Sequence, residues 1–247
     1  MSIRRMTKTK KNQVRREIDN SVNTRFTMKC IEPMNETQDR FFESYESGKN
    51  ILAVGSAGTG KTYISLYLAL RDVMAKHSTY KEIIVIRSSV QSREQGHMPG
   101  NETEKMSYFE APYLDIVNDL FERGDAYQIL KQKKMIRFMS TSFIRGLTFN
   151  DALIIVDEIQ NLNMSELRTI ATRVGENSRI IFCGDTKQDD LTGSKHKTDV
   201  SGLRHLKKII DRMPRTCFDT VEFTVSDIVR SGFVKDFIVA EEELEVA

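Results

Sequence analysis

The 247-residue sequence predicts an α/β fold, a single domain whose mostly parallel sheet is covered by helices on both faces. Four apolar runs, at residues 51–54, 83–86, 153–156 and 180–183, are separated by segments with helical periodicity, and the run at 83–86 is rich in β-branched residues. Continuous apolar runs are typical of strands that are buried on both faces, as in parallel sheets. At roughly 100–200 residues per domain, the length accommodates one large domain.

The predicted elements alternate along the chain. Asn35 is the expected N-cap of the first helix, because its short side chain can accept a hydrogen bond from the backbone. The polar segment 88–108 contains Pro99 and Gly100 and is predicted to be a long loop. The predicted helices span residues 35–45, 63–76, 112–133 and 165–174. Polar residues that follow parallel strands gather at one sheet edge, where ligands bind in this fold class.

Composition excludes several classes of protein. Hydrophobic residues make up 39% and charged residues 29%, an ordinary balance for a soluble domain. No run approaches the roughly 18 apolar residues of a membrane span, and the charged N-terminus lacks the apolar stretch of a secretory signal. The three cysteines are widely spaced and are expected to be mostly buried thiols in a reducing cytoplasm. We expect a cytoplasmic protein without membrane contact, in the host cytoplasm if it is phage-encoded.

Charge is distributed unevenly along the chain. Residues 1–29 carry nine Lys and Arg against two acids, a net charge of +7, and the rest carries 28 against 33, a net charge of −5. Such a basic arm suits the phosphates of a nucleic acid, and it equally suits a solvated, disordered tail. We therefore divide the chain into a basic arm at 1–29, a core at 30–240 and an acidic tail at 241–247.

A glycine-rich motif follows the first apolar run and precedes a helix. Residues 55–62, GSAGTGKT, match the phosphate-binding pattern G-x-x-x-x-G-K-[ST]. The glycines let backbone N–H groups turn inward around phosphate oxygens, Lys61 reaches the β- and γ-phosphates, and Thr62 binds Mg²⁺. The predicted binding residues are Gly55, Ser56, Ala57, Gly58, Thr59, Gly60, Lys61 and Thr62.

An acidic pair ends the third apolar run. Asp157 is predicted to hold the Mg²⁺ ion, partly through water, together with Thr62. Glu158, one position on, is the predicted general base that orients and activates the attacking water. An acidic pair after a strand is common, so it is the motif at 55–62 that makes this interpretation specific.

Further polar residues are predicted to act at the phosphates. Gln188, in the segment after the fourth run, can hydrogen-bond both a γ-phosphate and a water molecule. An arginine that stabilises the transition state can be worth roughly 10³–10⁵ in rate. The candidates are Arg145, Arg173 and Arg230, and Arg230 ranks first because a mostly apolar segment delivers it to a Ser-Gly break.

The order and content of these motifs resemble one known family. The segments GSAGTGKT, FIRGLTFNDALIIVDEIQN, TRVG, CGDTKQDDL and SDIVRSGFVKDFI are similar to those of the PhoH-like ATPases, and the resemblance covers roughly residues 30–240. The short form looks most like phage-encoded members. The sequence departs from the family pattern at Ile159, where alanine is usual, and at Leu147, where a second arginine is often found.

The resemblance implies a RecA-like P-loop NTPase core, related to those of superfamily 1 helicases, that binds and hydrolyses ATP. It also implies that a glutamine before the first strand reads adenine, and Gln38 stands at that position. Its amide can donate to N7 and accept from the exocyclic amine of adenine.

Three functions compete at this stage. The first is an ATPase coupled to the remodelling of single-stranded RNA or DNA, with Arg87, Arg93 and Lys105 as nucleic-acid contacts. The second is an ATP-binding regulatory or scaffold protein with slow hydrolysis and no nucleic-acid stimulation. The third, a small-molecule kinase, is weaker, because a glutamine after Gly184-Asp185 favours water activation.

The length also bears on assembly. ATP sites of RecA-like motors lie between two lobes, and 247 residues accommodate only one such lobe. We therefore expect a homo-oligomer in which a neighbouring copy supplies the second wall. A closed ring, most simply a hexamer, satisfies such head-to-tail contacts.

Overall fold

The computed structural model describes residues 26–88, 102–185 and 201–246. Most of the basic arm, Arg93 and Gln188 lie outside these ranges, as does the side chain of Lys105. The predictions made for those positions therefore remain predictions.

The centre of the molecule is a six-stranded sheet in which every pairing is parallel. The strand order is β3-β2-β4-β5-β1-β6. The strands are β1 (Asn50–Gly55), β2 (Glu82–Arg87), β3 (Ile136–Ser140), β4 (Ala152–Val156), β5 (Arg179–Gly184) and β6 (Phe218–Phe223). The four predicted strands are confirmed as β1, β2, β4 and β5, the central strands of the sheet.

Seven α-helices are present in the described part of the chain. They are α1 (Glu36–Glu46), α2 (Lys61–Val73), α3 (Glu102–Leu120), α4 (Ala126–Gln132), α5 (Met164–Ala171), α6 (Leu203–Ile210) and α7 (Gly232–Val246). Asn35 caps α1 as predicted, because its Oδ1 accepts a hydrogen bond of 2.8 Å from the backbone N–H of Gln38.

Two apolar cores, one on each face of the sheet, confirm the predicted α/β layering. Alternate residues of each strand point to opposite faces, so Ile51 and Ala53 lie in one core and Leu52 and Val54 in the other. Helices α1 to α4 pack on the first face, and α5 and α6 pack on the second. Both cores are buried, which keeps the strand ends in fixed positions at the sheet edge.

Several predicted boundaries were wrong, and each has a local reason. The predicted loop at 88–108 gives way to α3 at Glu102, and the predicted helix at 112–133 is two helices, separated around Glu122 in a left-handed conformation. Strands β3 and β6 went unpredicted because both are edge strands, where polar residues interrupt the apolar runs. Helices α6 and α7 were also missed.

The end of the basic arm packs on the body of the domain. Phe26 stacks on Phe121 at 4.4 Å between ring centroids, and the backbone N–H of Lys29 donates to Leu120 O at 2.9 Å. The Lys29 ammonium lies 2.7 Å from Asp119 Oδ2. Residues 26–29 are thus attached to α3.

At the other end of the chain, the acidic residues from 241 onward continue α7 as far as Val246.

Two expectations from composition can be compared with the structure. Cys183 is buried and Cys217 half-buried, whereas Cys30 is exposed, so the expectation of mostly buried thiols was wrong for Cys30. Burial raises the pKa of the Cys183 thiol to about 12. Within the described ranges, none of the helices combines the length and apolarity that crossing a membrane requires.

Candidate functional site

The glycine-rich motif forms a tight loop between β1 and α2. Gly55, Gly58 and Gly60 have φ values of 131°, 74° and 87°, which side chains rarely tolerate. A Cβ atom at Gly55 would lie 1.8 Å from the carbonyl oxygen of Phe223 on β6, so the loop can leave the sheet here only with glycine. The N-terminus of α2 therefore stands at the carboxyl edge of the sheet, where it can attract an anion.

Lys61 lies across this loop with its ammonium group buried. Its Nζ donates to Gly55 O at 2.8 Å, Ser56 O at 2.7 Å and Thr59 Oγ1 at 3.2 Å. Burial lowers the pKa of Lys61, and the negative charge of Asp185 partly opposes that effect. A cation held by neutral acceptors in a buried site is well placed to bind a phosphate instead.

Asp157 and Thr62 meet beside the loop. Thr62 Oγ1 donates to Asp157 Oδ1 at 2.9 Å, and the hydroxyl of the fully buried Tyr113 donates to Asp157 Oδ2 at 3.0 Å. Burial raises the pKa of Asp157, against the opposing effect of these two hydrogen bonds. A hydroxyl and a carboxylate oxygen at this distance are the hard donors that suit Mg²⁺.

Glu158 adopts an unusual backbone conformation. Its φ of 53° is in the left-handed region, which costs a non-glycine residue about 1–3 kcal/mol and is typical of functional sites. Burial, and then the neighbouring charge of Asp157, raise the pKa of the Glu158 carboxyl group. A raised pKa is appropriate for a general base that works near neutral pH.

Gln160 is a residue of this site that sequence analysis missed. Its side chain is almost fully buried; Nε2 donates to Glu158 Oε2, and Oε1 accepts the backbone N–H of Asp185 at 2.9 Å. One amide thus connects the acidic pair after β4 with the segment after β5. A glutamine two residues after an acidic pair, in the segment DEIQN, was the available signal.

Gln38 contacts the phosphate-binding loop directly. Its Nε2 donates to Thr59 O at 3.0 Å and its Oε1 accepts from the Met34 backbone N–H at 2.8 Å. The buried side chain therefore links α1 to the loop and also lines the adjoining cavity. Its contact with adenine remains a prediction.

A cavity of about 840 Å³ joins these residues, a volume in the usual range for small-molecule sites. Its walls are formed by the segment 30–34, Gln38 of α1, the loop and helix start at 57–64, Arg87 at the end of β2, the 112–116 part of α3, the acidic pair, residues 184–185 and residues 229–230. The cavity therefore brings together the predicted binding loop, metal ligands and base.

The three candidate arginines occupy different places. Arg230 lines the cavity, with its Cγ 2.9 Å from the position that a Cβ would take at Gly58. Arg145 is exposed and does not line the cavity. Arg173 lies near the amino ends of β4 and β5, where it donates to Leu147 O at 3.3 Å. Within one chain, Arg230 alone of the three reaches the site.

Arg87, predicted as a nucleic-acid contact, also lines the cavity, at the carboxyl end of β2. Of the other two predicted contacts, Arg93 lies outside the described residues and Lys105 belongs to α3 without a described side chain.

The family model and three curated relatives that match this chain all carry the PhoH name. The PhoH-like protein family model matches residues 30–242. The chain is 30% identical over 218 residues to a PhoH-like protein of Mycobacterium leprae (88% of this chain, 60% of the relative). It is 29% identical to a PhoH-like protein of Bacillus subtilis (86% and 64%) and 35% identical over 159 residues to Protein PhoH of Escherichia coli (64% and 44%).

Solved structures are more distant. The large terminase of a thermophilic bacteriophage in complex with ADP matches with a TM-score of 0.46 and 15% identity, over 83% of this chain and 49% of that one. A Bacteroides Pif1 helicase in complex with ADP-AlF3 and ssDNA matches with a TM-score of 0.34 and 15% identity, over 79% and 42%.

The curated relatives are longer proteins, and this chain spans 60% of the M. leprae relative and 64% of the B. subtilis relative. The family match nevertheless covers nearly the whole chain, and it includes every element that forms the cavity. The chain belongs to the PhoH-like protein family.

Proposed function

We propose that this protein binds ATP with Mg²⁺ and hydrolyses it. The observation that carries the proposal is the meeting of Lys61, the Thr62–Asp157 pair and Glu158 in one cavity. Each group has the chemistry that phosphoryl transfer to water requires: a cation for the phosphates, oxygen ligands for a metal and a carboxylate beside them.

The proposed reaction assigns one task to each residue. Lys61 and the loop N–H groups hold the β- and γ-phosphates, and Thr62 and Asp157 would hold a Mg²⁺ ion that would neutralise part of the phosphate charge. Glu158 orients a water and accepts its proton while the water oxygen bonds to the γ-phosphorus and the bond to the bridging oxygen breaks. Arg230 and Gln188 are proposed to contact the γ-phosphate, and Gln38 to contact adenine.

Coupling to single-stranded RNA or DNA is the proposed use of this hydrolysis. The basic arm and Lys105 would contact phosphates, and Tyr108, 65% exposed on α3, offers a ring for base stacking. Helix α3 also carries Tyr113, which hydrogen-bonds to Asp157, so one element connects the outer surface with the metal ligand.

The proposed assembly is a homo-oligomeric ring, with a hexamer favoured. Arg145 is flanked by the exposed side chains of Phe143 and Leu147, a composition suited to a subunit contact that would deliver an arginine to a neighbour's site. Arg173 is the other candidate for this role.

The three free thiols fit a reducing compartment; they are Cys30, Cys183 and Cys217. We therefore propose that the protein is located in the cytoplasm, of the host cell if it is phage-encoded.

A scaffold function, in which ATP mainly holds an oligomer together, is the second candidate. Phe233, Phe237 and Leu244 on α7 are 78%, 61% and 80% exposed, and their spacing places them on one helix face. Such an apolar stripe is typical of an interaction surface.

The test is ATP turnover with Mg²⁺ at low salt, measured with and without single-stranded RNA or DNA. We expect turnover that nucleic acid stimulates and that is lost in Lys61→Ala, because the phosphate charge loses its buried counter-ion. Lys76→Ala, at an exposed position beyond α2, is the matched control. Light scattering of the same samples with an ATP analogue should show a mass near six chains.

Each negative result has a distinct meaning. Wild-type turnover no higher than that of Lys61→Ala would overturn the ATPase proposal. Slow turnover that nucleic acid leaves unchanged, with nucleotide-dependent assembly, would favour the scaffold function. A protein that stays monomeric with nucleotide bound would contradict the ring.

A further inference from the structure

The position of Arg87 in the sheet places it next to the acidic pair. Arg87 is the last residue of β2, and its neighbour Ile86 pairs with Val156 of β4. The backbone N–H of Asp157 donates to Ile86 O at 2.9 Å. The two strands therefore end together, and Arg87 and Asp157 leave the sheet side by side at its carboxyl edge.

The charge of Arg87 acts inside the cavity. Arg87 lines the cavity with Thr62, Asp157 and Glu158, and its side chain is half-buried. Its positive charge lowers the pKa of both carboxyl groups, against the larger effect of burial. Among the described side chains, no carboxylate forms an ion pair with Arg87, so its guanidinium is not committed to either acid.

Helix α3 holds the guanidinium in place. The Cζ atom of Arg87 lies 5.8 Å from the centre of the Phe109 ring, a cation–π distance. Phe109 and Tyr113 are four residues apart on α3 and thus share a face. One face of the helix therefore positions both Arg87, through the ring, and Asp157, through the Tyr113 hydroxyl.

Contact with a ring face does not use the N–H donors at the edge of the guanidinium. Five donors in a planar fork match the oxygens of a phosphate group. Lys61 approaches the phosphate-binding loop from α2, and Arg87 stands on the other side of Asp157 in the sheet, where β2 adjoins β4. A γ-phosphate that is bound to Lys61 and faces Glu158 would lie between these two cations.

We propose that Arg87 is a further catalytic residue, whose guanidinium contacts the γ-phosphate of the bound nucleoside triphosphate and stabilises the charge that develops there. This inference rests on the proposed ATPase function. It reassigns a residue that the sequence predicted as a nucleic-acid contact, and it makes the Phe109 ring the positioning group for that residue.

The test compares Arg87→Ala and Arg87→Lys with wild type in two assays, turnover and the binding of ADP and a non-hydrolysable ATP analogue. We expect Arg87→Ala to leave the affinity for ADP unchanged and to lower the affinity for the ATP analogue by about 10- to 100-fold, the range for a charge-assisted hydrogen bond. Its kcat should fall by about 10³-fold or more. Arg87→Lys should retain part of the affinity for the ATP analogue and part of kcat, because lysine keeps the positive charge but lacks the planar guanidinium.

Two controls sharpen the result. Free guanidinium added to Arg87→Ala should restore part of its turnover, and it should not restore that of Glu158→Gln. Arg212→Ala removes an exposed arginine beyond α6 and should change neither affinity nor kcat.

Three outcomes would overturn the inference. Unchanged turnover with lost nucleic-acid stimulation would make Arg87 a nucleic-acid contact, and equal losses of ADP and triphosphate affinity would mean a structural role. If wild type itself neither binds nor hydrolyses ATP, the proposed function fails before any variant is compared, and this inference fails with it.

Discussion

Glu158 and Gln160 illustrate how single side chains determine the geometry of this site. The Glu158 carboxylate is aligned by one amide, whose other end accepts the Asp185 backbone N–H. A free carboxylate could rotate away from a water. The Glu158 carboxylate has little freedom to rotate, because its backbone conformation is fixed and its side chain accepts a hydrogen bond from Gln160. We therefore regard Gln160 as a positioning residue for the proposed base.

Substitution of Gln160 should affect the rate more than nucleotide binding. Gln160→Ala removes both hydrogen bonds, so we expect kcat to fall about 10- to 100-fold while KM stays near the wild-type value, as for loss of an interaction that acts in the transition state. Steady-state kinetics measure this split. Gln132→Ala, exposed at the end of α4, is the control. Equal changes in KM and kcat, together with a lower melting temperature, would indicate a purely structural role.

For single residues, the sequence predicted which residues form the site better than it predicted which side chains contact each other. Lys61, Thr62, Asp157 and Glu158 follow from local motifs, because strand, loop and helix are contiguous in the chain. The roles of Gln160 and Tyr113 depend on which segments meet across the sheet, and no local spacing encodes that. The position of Arg87 in the cavity wall also depends on the pairing of β2 with β4, and its prediction as a nucleic-acid contact remains a prediction.

Among the elements, those buried on both faces were predictable and those at the edges were not. Strands β1, β2, β4 and β5 are continuous apolar runs because helices cover both of their faces. Edge strand β6 reads FDTVEF, in which polar residues interrupt the apolar pattern. The polar composition of segment 88–108, with Pro99 and Gly100, likewise hid the true start of α3 at Glu102.

The attachment of the arm to α3 should depend on pH. Hydrogen bonds from Lys29 and then Tyr63 lower the pKa of Asp119. A lowered carboxyl pKa stabilises the fold above the unfolded value near pH 4, and that contribution is lost as pH falls through the folded pKa. The attachment of residues 26–32 should therefore loosen in acid.

Asp119→Asn should reproduce that loosening at neutral pH. We expect faster hydrogen exchange in residues 26–32 and a change of less than about 1 kcal/mol in the free energy of unfolding, because the ion pair is solvent-exposed. Asp115→Asn, also exposed on α3, should leave exchange unchanged. Unaltered exchange in Asp119→Asn would show that Phe26 stacking alone holds the segment.

For the whole molecule, the order of the strands separates the phosphate-binding loop from the turn that carries Arg145. Strand β1, which carries the phosphate-binding loop, lies next to β6, and the turn that carries Arg145 follows β3 at the opposite edge of the sheet. A head-to-tail contact between copies would bring such opposite edges together. In the proposed ring, the edge of the sheet that ends with β3 would therefore face the phosphate-binding side of a neighbouring copy.

In the proposed mechanism, Glu158 activates water while Lys61, Thr62 and Asp157 hold Mg²⁺ and the phosphates. The most direct measurement is bound and hydrolysed ATP in Glu158→Gln, with Glu176→Gln, exposed near the amino edge of the sheet, as the matched control. The account predicts that Glu158→Gln binds ATP with wild-type affinity and retains it unhydrolysed, with kcat lowered by about 10²–10⁴-fold. Wild-type turnover in Glu158→Gln would contradict it.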